Sequence, residues 1–168
     1  MVILSFFVND AEILHPPKEN YFIKNSQLII LLWSRLQQLS RKLGINKDFF
    51  EYYHSLYSND NPGWIQSQKS FVRLSDYIKR NQIRALITMI PDLHDIQEYP
   101  LMFIHEKVEK KAKLLGFEFI DFYDALRKVK GRDTFVMRGD PHPNEKTHRI
   151  IGDFLYDYLL KIKPWEKH

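Results

Sequence analysis

Apolar residues along the chain follow two rhythms. Mostly apolar runs, each with a single hydroxyl residue (Ser5, Thr88) and rich in β-branched and aromatic residues, occur at residues 2–8 and at Ala85–Ile90, and they stop abruptly at Asn9-Asp10 and at Pro91. Such runs predict strands buried on both faces, because a half-exposed strand would alternate with polar residues. A third strand is predicted from Phe117 to Phe122, directly after Gly116. Between these runs the spacing becomes helical. Leu28, Ile29, Leu32, Leu36, Leu39 and Leu43 share one face, with Asn25 or Ser26 available as N-cap and Gly44 as stop. A short helix is predicted over Asp48–Leu56. The polar turn Ser58-Asn59-Asp60-Asn61-Pro62-Gly63 then leads into a helix from Trp64 to about Asn81, with Trp64, Phe71, Leu74 and Ile78 inward. Leu101, Ile104, Val108, Ala112 and Leu115 mark the next helix, and Ile150, Ile151, Phe154, Leu155, Tyr158, Leu159 and Ile162 a last one beginning after Asn144.

Strands alternating with helices imply an α/β fold, a three-layer α/β/α sandwich around a parallel sheet with right-handed crossovers. In such sheets ligands bind beyond the C-terminal strand ends. Asn9 lies at one of these ends, and the loop from Met137 to Asn144 follows the last strand.

Composition narrows the function classes. A chain of 168 residues with 44% hydrophobic content forms one domain, spanning 1–168. Without cysteine there is no disulfide, thiolate metal site or cysteine nucleophile. A net charge of +4 would suit a polyanion, yet 21 acidic residues are interspersed with 25 basic ones. The densest basic stretch, Lys107, Lys110, Lys111 and Lys113, is broken by Glu106 and Glu109, as on a solvated helix face, so no nucleic-acid partner is expected. The longest continuous apolar run, Leu28–Trp33, is far short of the roughly 20 residues a membrane span needs. The chain opens on an apolar strand with no charged lead-in or cleavage site, so this stretch does not read as a signal peptide, and an N-terminally incomplete domain is expected.

The densest chemical signal is Arg138-Gly139-Asp140-Pro141-His142-Pro143-Asn144. A carboxylate two residues before a histidine, in a proline-stiffened loop, can reach the histidine Nδ1 and leave Nε2 as a general base. The same residues also suit a turn with Asn144 as an N-cap. Asn9 can donate its side-chain NH2 to a developing oxyanion, or serve simply as a turn residue. His15, His94 and His105, with Asp92 and Asp95 nearby, match no zinc spacing and are expected on loops or helix surfaces, so neither metal nor cofactor is expected. Phe49, Phe50, Tyr52, Tyr53, Tyr57 and Trp64 suit either a substrate surface or core cover, and the loop Asp10 to Tyr21 would border a site at Asn9.

Phe7-Val8-Asn9-Asp10 resembles the Gly-x-Asn-Asp block of the SGNH (GDSL-type) serine ester hydrolases, and Asp140-Pro141-His142-Pro143-Asn144 resembles their Asp-(x)-x-His-Pro-Asn block, in which the first spacer is optional, in the same order and setting. The resemblance covers nearly the whole chain. It implies a flavodoxin-like fold and an esterase, lipase or carbohydrate deacetylase working through an acyl-enzyme. In that scheme Asn9 binds the oxyanion, His142 is the base and Asp140 orients it. The substrate would be a small-molecule ester, including acetylated sugars and lipids. Two departures stand out. Phe7 replaces the block's glycine. The Gly-Asp-Ser block, which should precede the Asn-Asp block, is absent, since only eight residues precede Asn9. None of the nine serines, Ser5, Ser26, Ser34, Ser40, Ser55, Ser58, Ser67, Ser70 and Ser75, stands in Gly-Asp-Ser or in Gly-x-Ser-x-Gly. The expectation is therefore a relative that is nearly inactive alone, with a noncatalytic binding module of the same fold as the alternative. The missing first strand would lie beside residues 2–8, so this edge should be unpaired and should favour self-association.

Overall fold

The computed structural model describes residues 1–13, 49–93, 96–129, 135–137 and 140–165, with the backbone alone for Phe49, Phe135, Met137, Asp140 and Pro141. The predicted helix at Leu28–Leu43, as well as His15 and His94, lies outside the described residues. In chain order the elements are β1 (Val2–Phe7), α1 (Phe49–Leu56), α2 (Pro62–Arg80), β2 (Ala85–Ile90), α3 (Met102–Leu114), β3 (Glu118–Asp121), α4 (Tyr123–Leu126), β4 (Phe135–Met137), β5 (Asp140–Pro143) and α5 (Glu145–Ile162).

The first three strands form a parallel sheet in the order β1-β2-β3, with Val2 opposite Ala85 and Leu86 opposite Glu118. Alternation along the strands divides the core between the two faces. Leu4, Phe6 and Val8 of the β1 segment join Ile87 and Met89 against Phe71 of α2 and Ile104 and Val108 of α3. Leu86 and Ile120 face the other way, toward Leu126 of α4 and Ile151 of α5. The fold is thus mixed α/β, a parallel sheet with helices against both faces. The last helix is less covered than its stripe predicts. Ile151 is buried, Ile150, Leu155, Tyr158, Leu159 and Ile162 are half-buried, and Phe154 is exposed.

Local chemistry explains the boundaries. The Asn61 side chain accepts from the N–H groups of Gly63 (2.9 Å) and Trp64 (3.4 Å), and Pro62 takes the first helical position, so α2 starts two residues before Trp64. Gly116, at φ +85°, takes the left-handed conformation that ends α3. The Asn144 side chain caps α5 by accepting the Thr147 N–H at 3.0 Å.

Three expectations are corrected. Residues 2–8 are not buried on both faces: Val2 is 39% and Ile3 40% exposed, whereas β2 is buried through Met89. β1 pairs with β2 alone, and among the described residues no strand covers its other edge. Secondly, the stretch read as a loop after the last strand contains an antiparallel ribbon, β4–β5, with Met137 opposite Asp140 and Phe135 opposite Pro143. Thirdly, β3 is shorter than Phe117–Phe122, because the chain turns at Phe122 into the single-turn helix α4.

Candidate functional site at the C-terminal end of β1

The chain leaves β1 through a tight turn. Asp10 N–H donates to the Phe7 carbonyl at 2.9 Å, the Asp10 carboxylate accepts the Phe7 N–H at 2.8 Å, and Glu12 N–H donates to the Asn9 carbonyl at 2.9 Å. Three contacts from the helical side hold this turn. The Tyr57 hydroxyl, fully buried, donates to the Val8 carbonyl at 2.9 Å. Ser67 Oγ donates to the Asp10 carbonyl at 3.2 Å. Gly63 lies so close that an added Cβ would stand 1.8 Å from the Ala11 carbonyl oxygen. Asn9 is thereby fixed at the sheet's C-terminal edge. It is half-buried, and among the described residues its side-chain amide has no hydrogen-bond partner. A donor held this way needs little reorganisation to meet a developing negative charge.

His142 comes to the same place. Its ring is exposed and stacks on Phe7, with centroids 5.3 Å apart and planes at 17°. The ribbon thus delivers the histidine to within two residues of Asn9 along β1. Asp140 sits on the same strand, β5, but its side chain is outside the description. Asn144 performs the capping role that the sequence left open.

Nearby ionisable groups are shaped by burial. Burial raises the Asp10 carboxyl above its ordinary value, partly opposed by the Phe7 N–H that it accepts. Tyr52, whose hydroxyl donates to Glu12 at 2.9 Å, is pushed up to about 12 by partial burial of a residue that stays 41% exposed, then by that hydrogen bond and the Glu12 charge. Burial also raises Tyr53, Tyr57 and Tyr99, so these phenols stay neutral. Of the aromatic cluster, Tyr53, Tyr57 and Trp64 are core, whereas Phe50 and Tyr52 are exposed.

None of the described serines is paired with a histidine. Ser55, Ser58, Ser67, Ser70 and Ser75 donate to backbone carbonyls of Tyr52, Ser55, Asp10 and Gly63, Gln66 and Leu115 respectively. Ser5 accepts from Thr88 Oγ1 across the strands at 3.1 Å. Ser26, Ser34 and Ser40 lie outside the described residues.

No family model, curated protein or solved structure matches this chain. The site therefore stands on its own geometry.

A second constellation was missed by the sequence reading. His105, expected on a helix surface or loop, is 1% exposed. Its Nδ1 lies 2.7 Å from Asp121 Oδ2 and its Nε2 2.8 Å from the Tyr99 hydroxyl. That hydroxyl oxygen also accepts the Asp92 N–H at 3.1 Å, and Asp121 Oδ1 accepts the Tyr123 N–H at 2.8 Å. With Asp121 ionised, Nδ1 must donate, and a neutral ring leaves Nε2 to accept the phenolic proton. Both ring nitrogens are then occupied. This is an Asp–His–Tyr chain that ties α3 to the ends of β2 and β3, and it offers no free base. Among the described residues no three His, Asp or Glu side chains gather as metal ligands would, and no helix is long and apolar enough to cross a membrane.

Proposed function

We propose that this chain is an ester hydrolase of the SGNH type, or the acid–base and oxyanion portion of one, acting on carboxylic esters. The observation that carries the reading is the stacking of His142 on Phe7, which sets an exposed imidazole beside the turn that holds the Asn9 amide. In the proposed reaction a serine hydroxyl attacks the ester carbonyl while His142 Nε2 takes its proton and the Asn9 NH2 donates to the oxyanion. Collapse expels the alcohol, which receives the proton from His142, and water repeats the sequence on the acyl-enzyme. Asp140 is assigned to orient His142. None of the serines in the chain stands in a nucleophile motif, so hydrolysis by the chain alone is expected to be weak, since a triad without its nucleophile retains only minor catalysis.

The commitment of every described serine hydroxyl to a carbonyl or to Thr88 favours a second reading, a noncatalytic α/β binding module. A fluorophosphonate serine probe separates the two. A stoichiometric adduct on one serine, mapped by mass spectrometry and abolished by His142→Ala, supports the hydrolase. An adduct indifferent to His142→Ala overturns His142 as the base; with no adduct the chain holds no reactive serine, and residual ester hydrolysis abolished by His142→Ala then supports the hydrolase portion, whereas none supports the binding module.

A further inference from the structure

On the sheet face opposite α5, the outer surfaces of α2 and α3 enclose a shallow groove of about 370 Å³, lined by Ile65, Gln68, Lys69, Val72, Arg73 and Lys111. The five α2 residues recur at i, i+3, i+4, i+7 and i+8, so they form one helical face. Its chemistry is mixed. Val72 is 39% exposed and Ile65 half-buried, and three cations surround them with no carboxylate in the lining. Among the described residues Lys69, Arg73 and Lys111 make no ion pair. Asp76 lies one turn further along α2, outside the lining, and Glu109 on α3 is taken by Lys113 at 2.6 Å.

We propose that this groove is a docking surface for an anionic lipid bilayer, with Lys69, Arg73 and Lys111 at headgroup level and Val72 and Ile65 toward the acyl boundary. Three cations with no carboxylate in the lining make the groove positive, which an anionic surface complements, and each near an anionic membrane favours binding by a comparable increment. A nucleic-acid backbone would satisfy the cations but gain nothing from an exposed valine between them, whereas a bilayer rewards both. The groove presents only two apolar residues on α2, too few for the repeated anchors of an amphipathic partner helix. The proposal does not depend on the hydrolase reading, since the groove lies on the helical surface rather than at the strand ends.

The test is co-sedimentation of the full chain with phosphatidylcholine vesicles, with and without about a third phosphatidylserine. The protein should pellet with the phosphatidylserine vesicles and not with phosphatidylcholine alone, and added salt should release it. Reversing the three charges (Lys69→Glu, Arg73→Glu, Lys111→Glu) should weaken partitioning on the order of 100-fold or more, and Val72→Ser by about tenfold. Neutral replacements by Gln at the same three positions serve if the reversed variant melts early. Lys128→Glu, Arg149→Glu and Lys161→Glu change the net charge equally but sit on α5 and just after α4, on the other face, and should leave binding unchanged. Three results overturn the proposal: no preference for phosphatidylserine vesicles, equal loss in the control set, or tight heparin or RNA binding that is insensitive to Val72→Ser.

Discussion

Removing either neighbour of His105 should destabilise the protein measurably, because the ring has no other source of hydrogen bonds. His105 is 1% exposed, and its nitrogens lie 2.7 Å from Asp121 and 2.8 Å from Tyr99. Asp121→Ala leaves the buried Nδ1–H without an acceptor, which costs about 1–3 kcal/mol. The same change frees the Tyr123 N–H, which is half-buried and can turn to water, adding less than about 1 kcal/mol. Because the Asp121 side chain is 27% exposed, solvent recovers part of this, and about 1–3 kcal/mol is expected in total. Tyr99→Phe strands both Nε2 and the buried Asp92 N–H, for about 2–3 kcal/mol. Since all these groups belong to one chain of bonds, Asp121→Ala with Tyr99→Phe should be non-additive, with a coupling energy of about 0.5–3 kcal/mol. Urea denaturation followed by circular dichroism reads each value, with unchanged slope showing that only stability moved. If each single variant unfolds within about 0.5 kcal/mol of the parent, the buried chain does not hold α3 to the sheet and the reasoning fails.

Other substitutions test the frame of the site. Gly63→Ala must push the Ala11 carbonyl away from α2 and should cost about 2 kcal/mol or more, seen as a lower Tm, while Gly152→Ala, where nothing lies within 4 Å of an added Cβ, should not. Tyr52 should ionise near pH 12 in an absorbance titration, and Glu12→Gln should bring the inflection back toward 10; a raised phenol pKa contributes stability that is present below pH 10 and lost as pH rises through about 12, so Tyr52→Phe should flatten that part of the stability curve. The outer edge of β1, which no strand covers among the described residues and where Val2 and Ile3 are exposed, should make the protein self-associate in sedimentation velocity and Ile3→Lys should suppress it; a monodisperse parent monomer would refute this.

The sequence was most informative where one physical cause dominates. β2 is legible because five of its six residues are apolar and nearly all are buried, and α2 because Trp64, Phe71, Leu74 and Ile78 keep helical spacing, although its start was read two residues late, with Pro62 and Gly63 taken for the turn. β1 looked just as apolar, but whether a strand lies at an edge depends on its neighbours, which periodicity does not encode. The β4–β5 ribbon was hidden by Gly139, Pro141 and Pro143, residues that read as loop and that a short two-stranded ribbon tolerates. His105 sits in the polar string His-Glu-Lys, yet it lies four residues after Leu101 and three before Val108, on the stripe that faces the sheet. That position was the available signal; its partners, 6 and 16 residues away, were not. At the candidate site, the strand end and the helix entry were legible, but their meeting through Phe7 was not.

Phe7 is the residue on which the functional reading turns. Glycine in that position, as in the block it resembles, could not support a ring, whereas here the phenyl face carries His142 at 5.3 Å. A stacked aromatic pair is worth about 0.5–1.5 kcal/mol, enough to favour the stacked rotamer of an exposed imidazole by roughly 2- to 12-fold. Phe7→Ala should therefore release His142 while leaving the Asn9 turn intact, because that turn is held by Tyr57, Ser67 and Gly63 and not by the phenyl ring. NMR separates the two effects: the His142 side-chain couplings should change from those of one rotamer to averaged values, and the amides of Asn9 and Asp10 should stay in place. If a serine nucleophile reacts through His142, its probe-labelling rate should fall with the stacked population, by a factor in the same range. Couplings of a single His142 rotamer retained in Phe7→Ala would mean that contacts other than Phe7 position the ring. A faster labelling rate would mean that Phe7 fills space the substrate needs, and the departure from glycine would then count against catalysis.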